Sequence, residues 1–194
     1  EYVLPEYHEP WKSPLSTPEL AEEYPFVLTS GSRTPTFFHS EHRQLPWCRE
    51  LWPAPRVEIN PEDAERLGIE QGDWVWIESP KGKVRQVADL YHGIAPGQVN
   101  ANHTWWYPEL KGPKKGYDLS CINCLVDEYD QDPLCGAAAI RAYLVKIYKA
   151  TPDNSPFNNP VPCDDDGTEV IYRSDDPRLK EWLPVYDSPR GEAL

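Results

Sequence analysis

The chain has 194 residues, enough for one domain with a real core plus peripheral segments. Its formal charge of −13 repels nucleic acid and anionic membranes, which argues against general nucleic-acid binding. No apolar run is long enough to span a membrane, and no segment reads as a secretory h-region.

Residues 1–23 hold four prolines and six glutamates against one lysine, the composition of an extended arm or linker. Tyr24–Thr29 reads as a short apolar strand. It stops abruptly at Thr29-Ser30-Gly31-Ser32-Arg33, and Phe37-Phe38-His39-Ser40 follow. Small hydroxylated residues, a glycine and an arginine at a strand end can present several donors to an anion. A Gly/Ser turn after a strand is also often just a turn. Between Thr29 and Arg49 lie three arginines (Arg33, Arg43, Arg49), two histidines (His39, His42) and one acid, Glu41. A cationic loop in an acidic chain suits an anionic ligand, although so few charges can also fall there by scatter.

Arg56–Ile59 alternates like a strand. Asn60 then caps a helix over Pro61–Leu67, with proline at its first position, acids in its first turn and Gly68 as its stop. Gln71-Gly72-Asp73 is a tight turn into Trp74–Glu78, and Pro80-Lys81-Gly82-Lys83 turns that strand into Val84–Tyr91. Asp63, Gly68, Gly72 and Asp73 read as shapers of helix and turn. Val75 and Ile77 alternate with Trp74 and Trp76, which suit a barrel surface covered by another domain. Pro96-Gly97 leads into Gln98–Asn102, and residues 111–120 read as a polar loop. Ala137–Tyr148 fits a helix running into a final strand. Many short strands with Gly and Pro turns indicate a mainly β fold with short helices, a compact barrel over residues 24–150. Residues 151–194, with ten acids, four bases and seven prolines, read as a surface-wrapping tail or an arm for a partner. Val170-Ile171-Tyr172 and Trp182-Leu183 are its docking candidates.

Five cysteines (Cys48, Cys121, Cys124, Cys135, Cys163) argue against a complete disulfide framework. Cys121 and Cys124 have the spacing of a zinc half-site or a redox pair, but no second pair matches them. His39, His42 and Cys48 make a weaker metal set still. We expect free or buried thiols and no metal site. No nucleophile has a base and an orienting residue at readable spacing, so an independent hydrolase or thiol enzyme is disfavoured. The chain contains no methionine and begins with Glu1, which leads us to expect a piece of a longer protein or a processed product.

Taken in order, four blocks carry a resemblance: YPFVLTSGSRTPTFFHSEHRQLPW, PAPRVEINPEDAERLGIEQGDWVWIESPKGKVRQVADL, GIAPGQVNANHTWWYPE and INCLVDEYDQDPLCGAAAIRAYLVKIYKA. The chain resembles the C-terminal molybdopterin-dinucleotide-binding domain of the dimethyl sulfoxide reductase family of molybdenum and tungsten oxidoreductases. The resemblance spans about Pro5 to Ala150. It implies a double-psi β-barrel of the aspartate-decarboxylase-like type. It also implies bis-molybdopterin guanine dinucleotide as cofactor, with the metal and an iron–sulfur cluster held elsewhere in the full-length subunit.

Carried onto this chain, the resemblance implies that Thr29, Ser30, Gly31, Ser32 and Arg33 meet the dinucleotide. Phe38, His39 and Ser40 then reach phosphates or pterin. His103, Trp105 and Trp106 lie close to a pterin, and Asn123 faces one. Relatives often carry glycine after the histidine, where this chain has Thr104. The residue chemistry agrees: hydroxyls, amides and cations suit pyrophosphate, Asn123 and His103 suit the edges of a pterin, and the tryptophans suit its face. Each also has a plainer role. The tryptophans suit a core, His103 a structural hydrogen bond, and Asn123 a turn cap.

The expected partners are the remaining domains of the same catalytic subunit, with an iron–sulfur electron-transfer subunit as a further one. Neither nucleic acid nor direct membrane insertion is expected. On this reading the isolated chain is inactive, and the substrate is chosen in other domains. The block style looks most like the branch of polysulfide and thiosulfate reductases and anaerobic hydratases or dehydroxylases. A bacterial or archaeal source is implied, with cytoplasm and periplasm both open. The competing reading is a stand-alone β-barrel interaction module without cofactor.

Overall fold

The computed structural model describes residues 6–31, 34–127, 131–133, 135–138 and 141–182. Six strands close into a barrel: β1 (Phe26–Thr29), β2 (Arg56–Ile59), β3 (Trp74–Glu78), β4 (Lys83–Leu90), β5 (Gln98–Ala101) and β6 (Tyr143–Lys149). Their order around the barrel is β1-β5-β2-β4-β3-β6. β1 pairs with β5, and β2 with β4, in parallel; the remaining four pairings are antiparallel. This is the expected double-psi β-barrel, mainly β with short helices.

Alternation along the strands builds the interior. Phe26 and Leu28, Val57 and Ile59, Val75 and Ile77, Val99 and Ala101, and Val145 and Ile147 all point into one buried cluster. Each large aliphatic side chain buried there contributes about 1.5–3 kcal/mol. The helix α3 (Pro61–Leu67) packs Ala64 against this cluster. Its limits follow from local chemistry. Asn60 Oδ1 accepts from the Glu62 amide at 2.9 Å, Pro61 opens the helix, and Gly68 ends it at φ +65°. Asp63 accepts from the Gly97 amide at 2.7 Å, and Asp73 from the Glu70 amide at 2.8 Å, so both are structural.

A second buried cluster lies outside the barrel wall. Trp74 and Trp76 face away from the interior and pack with Trp105, Tyr107, Val161 and Val170. Cover by another domain, expected for these two tryptophans, is therefore corrected: this chain's own C-terminal segment buries them. Arg85 pins that segment by donating to the carbonyls of Asn159, Pro160 and Val161 at 3.0–3.2 Å. Val170, Ile171 and Leu179 are fully buried. Leu183 and the side chain of Trp182 lie outside the described residues.

The helix expected from Ala137 does not appear among the described residues; Ala139 and Ile140 lie outside them. Ala138 pairs with Gln131 in an isolated bridge, and β6 begins at Tyr143. Alanine's helix propensity is worth only tenths of a kcal/mol per residue, less than pairing with both β1 and β3. Within the arm, Pro18–Glu23 makes one helical turn, α1. Pro46–Leu51 forms α2, and the loop at 111–120 ends in α4 (Tyr117–Ser120).

Candidate functional site

The strand directions bring distant loops to one mouth of the barrel. β1 and β5 are parallel, with Thr29 opposite Asn100, so the loops leaving them emerge together. β6 runs antiparallel to β1 and starts at that same end. β3 pairs antiparallel with β6, so the hairpin at 79–82 closes there too. Ser79 Oγ donates to Leu125 O at 2.8 Å, which seats the short 3₁₀ turn Ile122–Leu125 on this rim.

The loop after β1 begins with half-buried Thr29, buried Ser30 and exposed Gly31. A Cβ added at Gly31 would meet nothing within 4 Å, so its backbone is open to close approach. Ser32 and Arg33 lie outside the described residues. Farther along, Phe37 is buried and Phe38 is exposed, with the Phe38 ring 4.3 Å from the His39 ring.

This loop is tied to the one after β5 by side chains. His39 Nδ1 lies 3.2 Å from His103 Nε2, a hydrogen bond between two imidazoles. Trp106 Nε1 donates to Ser40 O at 2.6 Å. Arg43 donates to His39 O at 2.7 Å, Glu41 O at 2.8 Å and His103 O at 3.5 Å. Arg43 is 2% exposed and stacks over Phe37 and Trp105. Burial, reinforced by the nearby Arg49 charge, lowers its pKa to about 10, so it remains a cation at neutral pH. Arg43 and Arg49 thus staple backbone from inside, which takes them out of the cationic loop expected to suit an anionic ligand.

Thr104 adopts φ +51°, the left-handed conformation that glycine takes freely. The backbone shape that the resemblance assigns to a glycine is therefore present, held by a β-branched residue. Trp105 is 1% exposed, in edge contact with Phe37 and Tyr107. Trp106 is half-buried. Asn123 is exposed on the 3₁₀ turn, and its backbone amide, with those of Thr104 and Trp105, lies within reach of the Cys121 sulfur. Burial pushes the Cys121 thiol up against those donors, and pushes Cys124 up to about 11. Both are neutral thiols at pH 7, and all five cysteines are free.

An open groove of about 330 Å³ runs beside these loops, lined by Ser40, Thr104, Trp105, Trp106, Lys114, Lys115, Tyr117 and Cys121 among others. Four of the six buried side-chain polar atoms without a hydrogen-bond partner among the described residues belong to these two loops: Thr36 Oγ1, Arg43 Nε, Thr104 Oγ1 and Trp105 Nε1. Such orphans are uncommon in proteins and call for a polar group or water. The structure therefore brings together His39, Ser40, His103, Trp105 and Trp106, with Asn123 adjoining through Cys121. Thr29, Ser30, Gly31 and Phe38 share the mouth. Sequence reasoning missed the structural role of Arg43 and the lining residues Lys114, Lys115, Tyr117 and Cys121. No spacing in the sequence points to them, because the 3D crossing of the loops creates the groove.

Residues 26–143 match a family model described as "Molydopterin dinucleotide binding domain". The chain is 61% identical over 187 residues to a dopamine dehydroxylase of Eggerthella lenta, covering 96% of this chain and 18% of that protein. It is 34% identical to an acetylene hydratase of Syntrophotalea acetylenica, covering 75% and 21%. The solved acetylene hydratase from Pelobacter acetylenicus superposes with a TM-score of 0.71 at 31% identity, covering 75% of this chain and 21% of that one. The chain thus spans about a fifth of the length of these relatives. The orphaned donors at the mouth, the left-handed residue after His103 and the hydroxyls after β1 fit a pterin dinucleotide. With a family model matching well over half of its residues, this chain belongs to the molybdopterin-dinucleotide-binding domains of the dimethyl sulfoxide reductase family.

Proposed function

We propose that this domain binds and orients the dinucleotide ends and pterins of bis-molybdopterin guanine dinucleotide, as the C-terminal part of a larger molybdenum or tungsten oxidoreductase subunit. The observation that carries this reading is the junction at the barrel mouth. There His39 and His103 meet at 3.2 Å, and the loops around them hold four unpartnered polar atoms. Ser30, Gly31, Ser32, Arg33 and Ser40 hold phosphates through hydroxyls, amides and one guanidinium. Thr29 and Phe38 border that segment. His103 and Asn123 meet the edges of the pterin, and Trp105 and Trp106 form the wall beside it. When bound, the cofactor supplies the redox chemistry at its metal; this domain supplies placement and electrostatics, and alone it is not catalytic.

An exposed pair on one face of α2, Trp47 and Leu51, is the surface we assign to the remaining domains of the subunit. The 61% identity to a protein named for dopamine dehydroxylation supports a hydroxylated aromatic as the substrate class. We further propose an iron–sulfur cluster in the missing part of the subunit. The test is cofactor content. In the full-length subunit, His103→Ala and Arg33→Ala should lower the metal and pterin bound per mole of protein. Unchanged content in both variants refutes the reading in favour of a cofactor-free interaction module.

A further inference from the structure

The loops that carry His39 and His103 are not held by the barrel alone. Arg43 joins their carbonyls from inside, and Arg49 stands behind it, with Nη1 donating to Arg43 O at 3.5 Å. Arg49 is 0% exposed and forms a forked pair with Glu109, at 3.2 and 3.3 Å. The same pair grips the C-terminal segment. Glu109 Oε1 accepts from the Ile171 amide at 2.7 Å, while Arg49 Nη2 donates to Ile171 O at 2.7 Å. Two charged side chains thus serve Ile171 as a neighbouring strand would, satisfying both its backbone groups. Ile171 sits beside Val170, which closes the tryptophan cluster from outside.

The charges run through the same contacts. The Arg43 and Arg49 guanidiniums lie 4.6 and 5.7 Å from the Trp105 ring, both out of solvent. Glu109, with a side chain 5% exposed, is the carboxylate paired with Arg49, and the Arg49 charge in turn acts on Arg43. Removing one member of a buried pair leaves an uncompensated charge in a low-dielectric site, which surface screening does not relieve. Here that charge would bear on Arg43, and through Arg43 on the backbone of both loops. We infer that Glu109 is a positioning residue that couples the C-terminal segment around Ile171, through Arg49 and Arg43, to the two loops that carry His39 and His103. The inference rests on the proposed cofactor role of those loops and extends the site to Glu109, Val170 and Ile171.

The test uses the cofactor-loaded full-length subunit and follows release of metal and oxidised pterin over time, alongside thermal unfolding. Glu109→Gln keeps the shape and loses the charge; it should speed release about tenfold or more. Arg85→Lys serves as the structural control. It weakens the same segment at residues 159–161, and among the described residues its side chain donates no hydrogen bond to either loop, so it should lower the unfolding temperature and leave the release rate unchanged. If Glu109→Gln does not accumulate, Arg49→Lys, which loses the fork and keeps the charge, must speed release. Release at the wild-type rate from Glu109→Gln, or from Arg49→Lys in its place, overturns the inference. So does equally fast release from Arg85→Lys at a matched loss of thermal stability. His103→Ala separates the two levels of argument. If it releases cofactor faster and Glu109→Gln does not, only the coupling fails; if it does not, the cofactor reading of the mouth fails with it.

Discussion

Replacing Thr104 with glycine should stabilise the domain, although it removes atoms from a packed loop. Thr104 sits at φ +51°, and its Oγ1 is buried without a partner. Relief of left-handed strain in an L-residue is worth about 1–2 kcal/mol. Removing an orphaned buried hydroxyl adds about 1 kcal/mol or more. Against this, glycine loses more chain entropy on folding, about 0.5–1 kcal/mol, and the lost methyl gives up about 0.8 kcal/mol. The balance is a gain of about 1 kcal/mol, which for a chain of this size raises the midpoint by about 2–4 °C. Calorimetry on the 194-residue chain reads this directly, with urea unfolding as a second measure. A loss of stability would refute the reasoning, because it would mean that Oγ1 has a bound partner whose removal costs more than the strain.

Asn102, next to the site, carries the turn out of β5. Its Oδ1 accepts from Trp52 Nε1 at 3.0 Å and from the Arg56 amide at 2.9 Å. Asn102→Ala strands both donors and should cost about 2–4 kcal/mol, read as a lower urea midpoint with unchanged slope. Acid stability should depend on Glu78. Burial, the largest influence on this carboxyl, pushes its pKa up. Donation from the Tyr148 hydroxyl at 2.5 Å and from Lys146 at 3.1 Å outweighs it and holds the carboxyl below its ordinary value. A depressed folded pKa means that this stability is present above the unfolded value, about 4.3, and is lost as pH falls through the folded one. Tyr148→Phe should therefore flatten the acid limb of a stability–pH curve below about pH 4.5; an unchanged limb would dismiss the contact. Thiol labelling of the native chain should modify exposed Cys135 first and buried Cys121 and Cys163 last, with mass spectrometry giving the order.

How much of the fold was legible depended on how local its causes are. The α3 helix could be placed residue by residue, because Asn60, Pro61 and Gly68 act on their own backbone. The strands around Val57 and Val75 could be read from period-two alternation, since each buries one face in the barrel. The cover over Trp74 and Trp76 was misassigned for the opposite reason. Val161 and Val170 lie roughly 90 residues away in a stretch whose acids and prolines hide its few buried aliphatics. The run at 137–141 offered alanines to a helix, and strand pairing claimed the following residues instead.

The candidate site divides along the same line. Residue types that contact ligands were visible as blocks, since hydroxyls, histidines and glycine-like turns cluster along the chain. The residues that aim those blocks were not. Arg43 and Arg49 read as ligand-facing charge because a sequence shows neither that a guanidinium is buried nor that the counter-charge of Arg49, Glu109, stands 60 residues away. Local rules also fail most visibly at this mouth: a β-branched residue is left-handed, and buried donors lack acceptors. A core under no other demand would have relaxed such features, so their concentration on two crossing loops supports the proposed site there. On the proposed function, a group bound at this rim would bring polar partners to loops that the barrel alone leaves short of them.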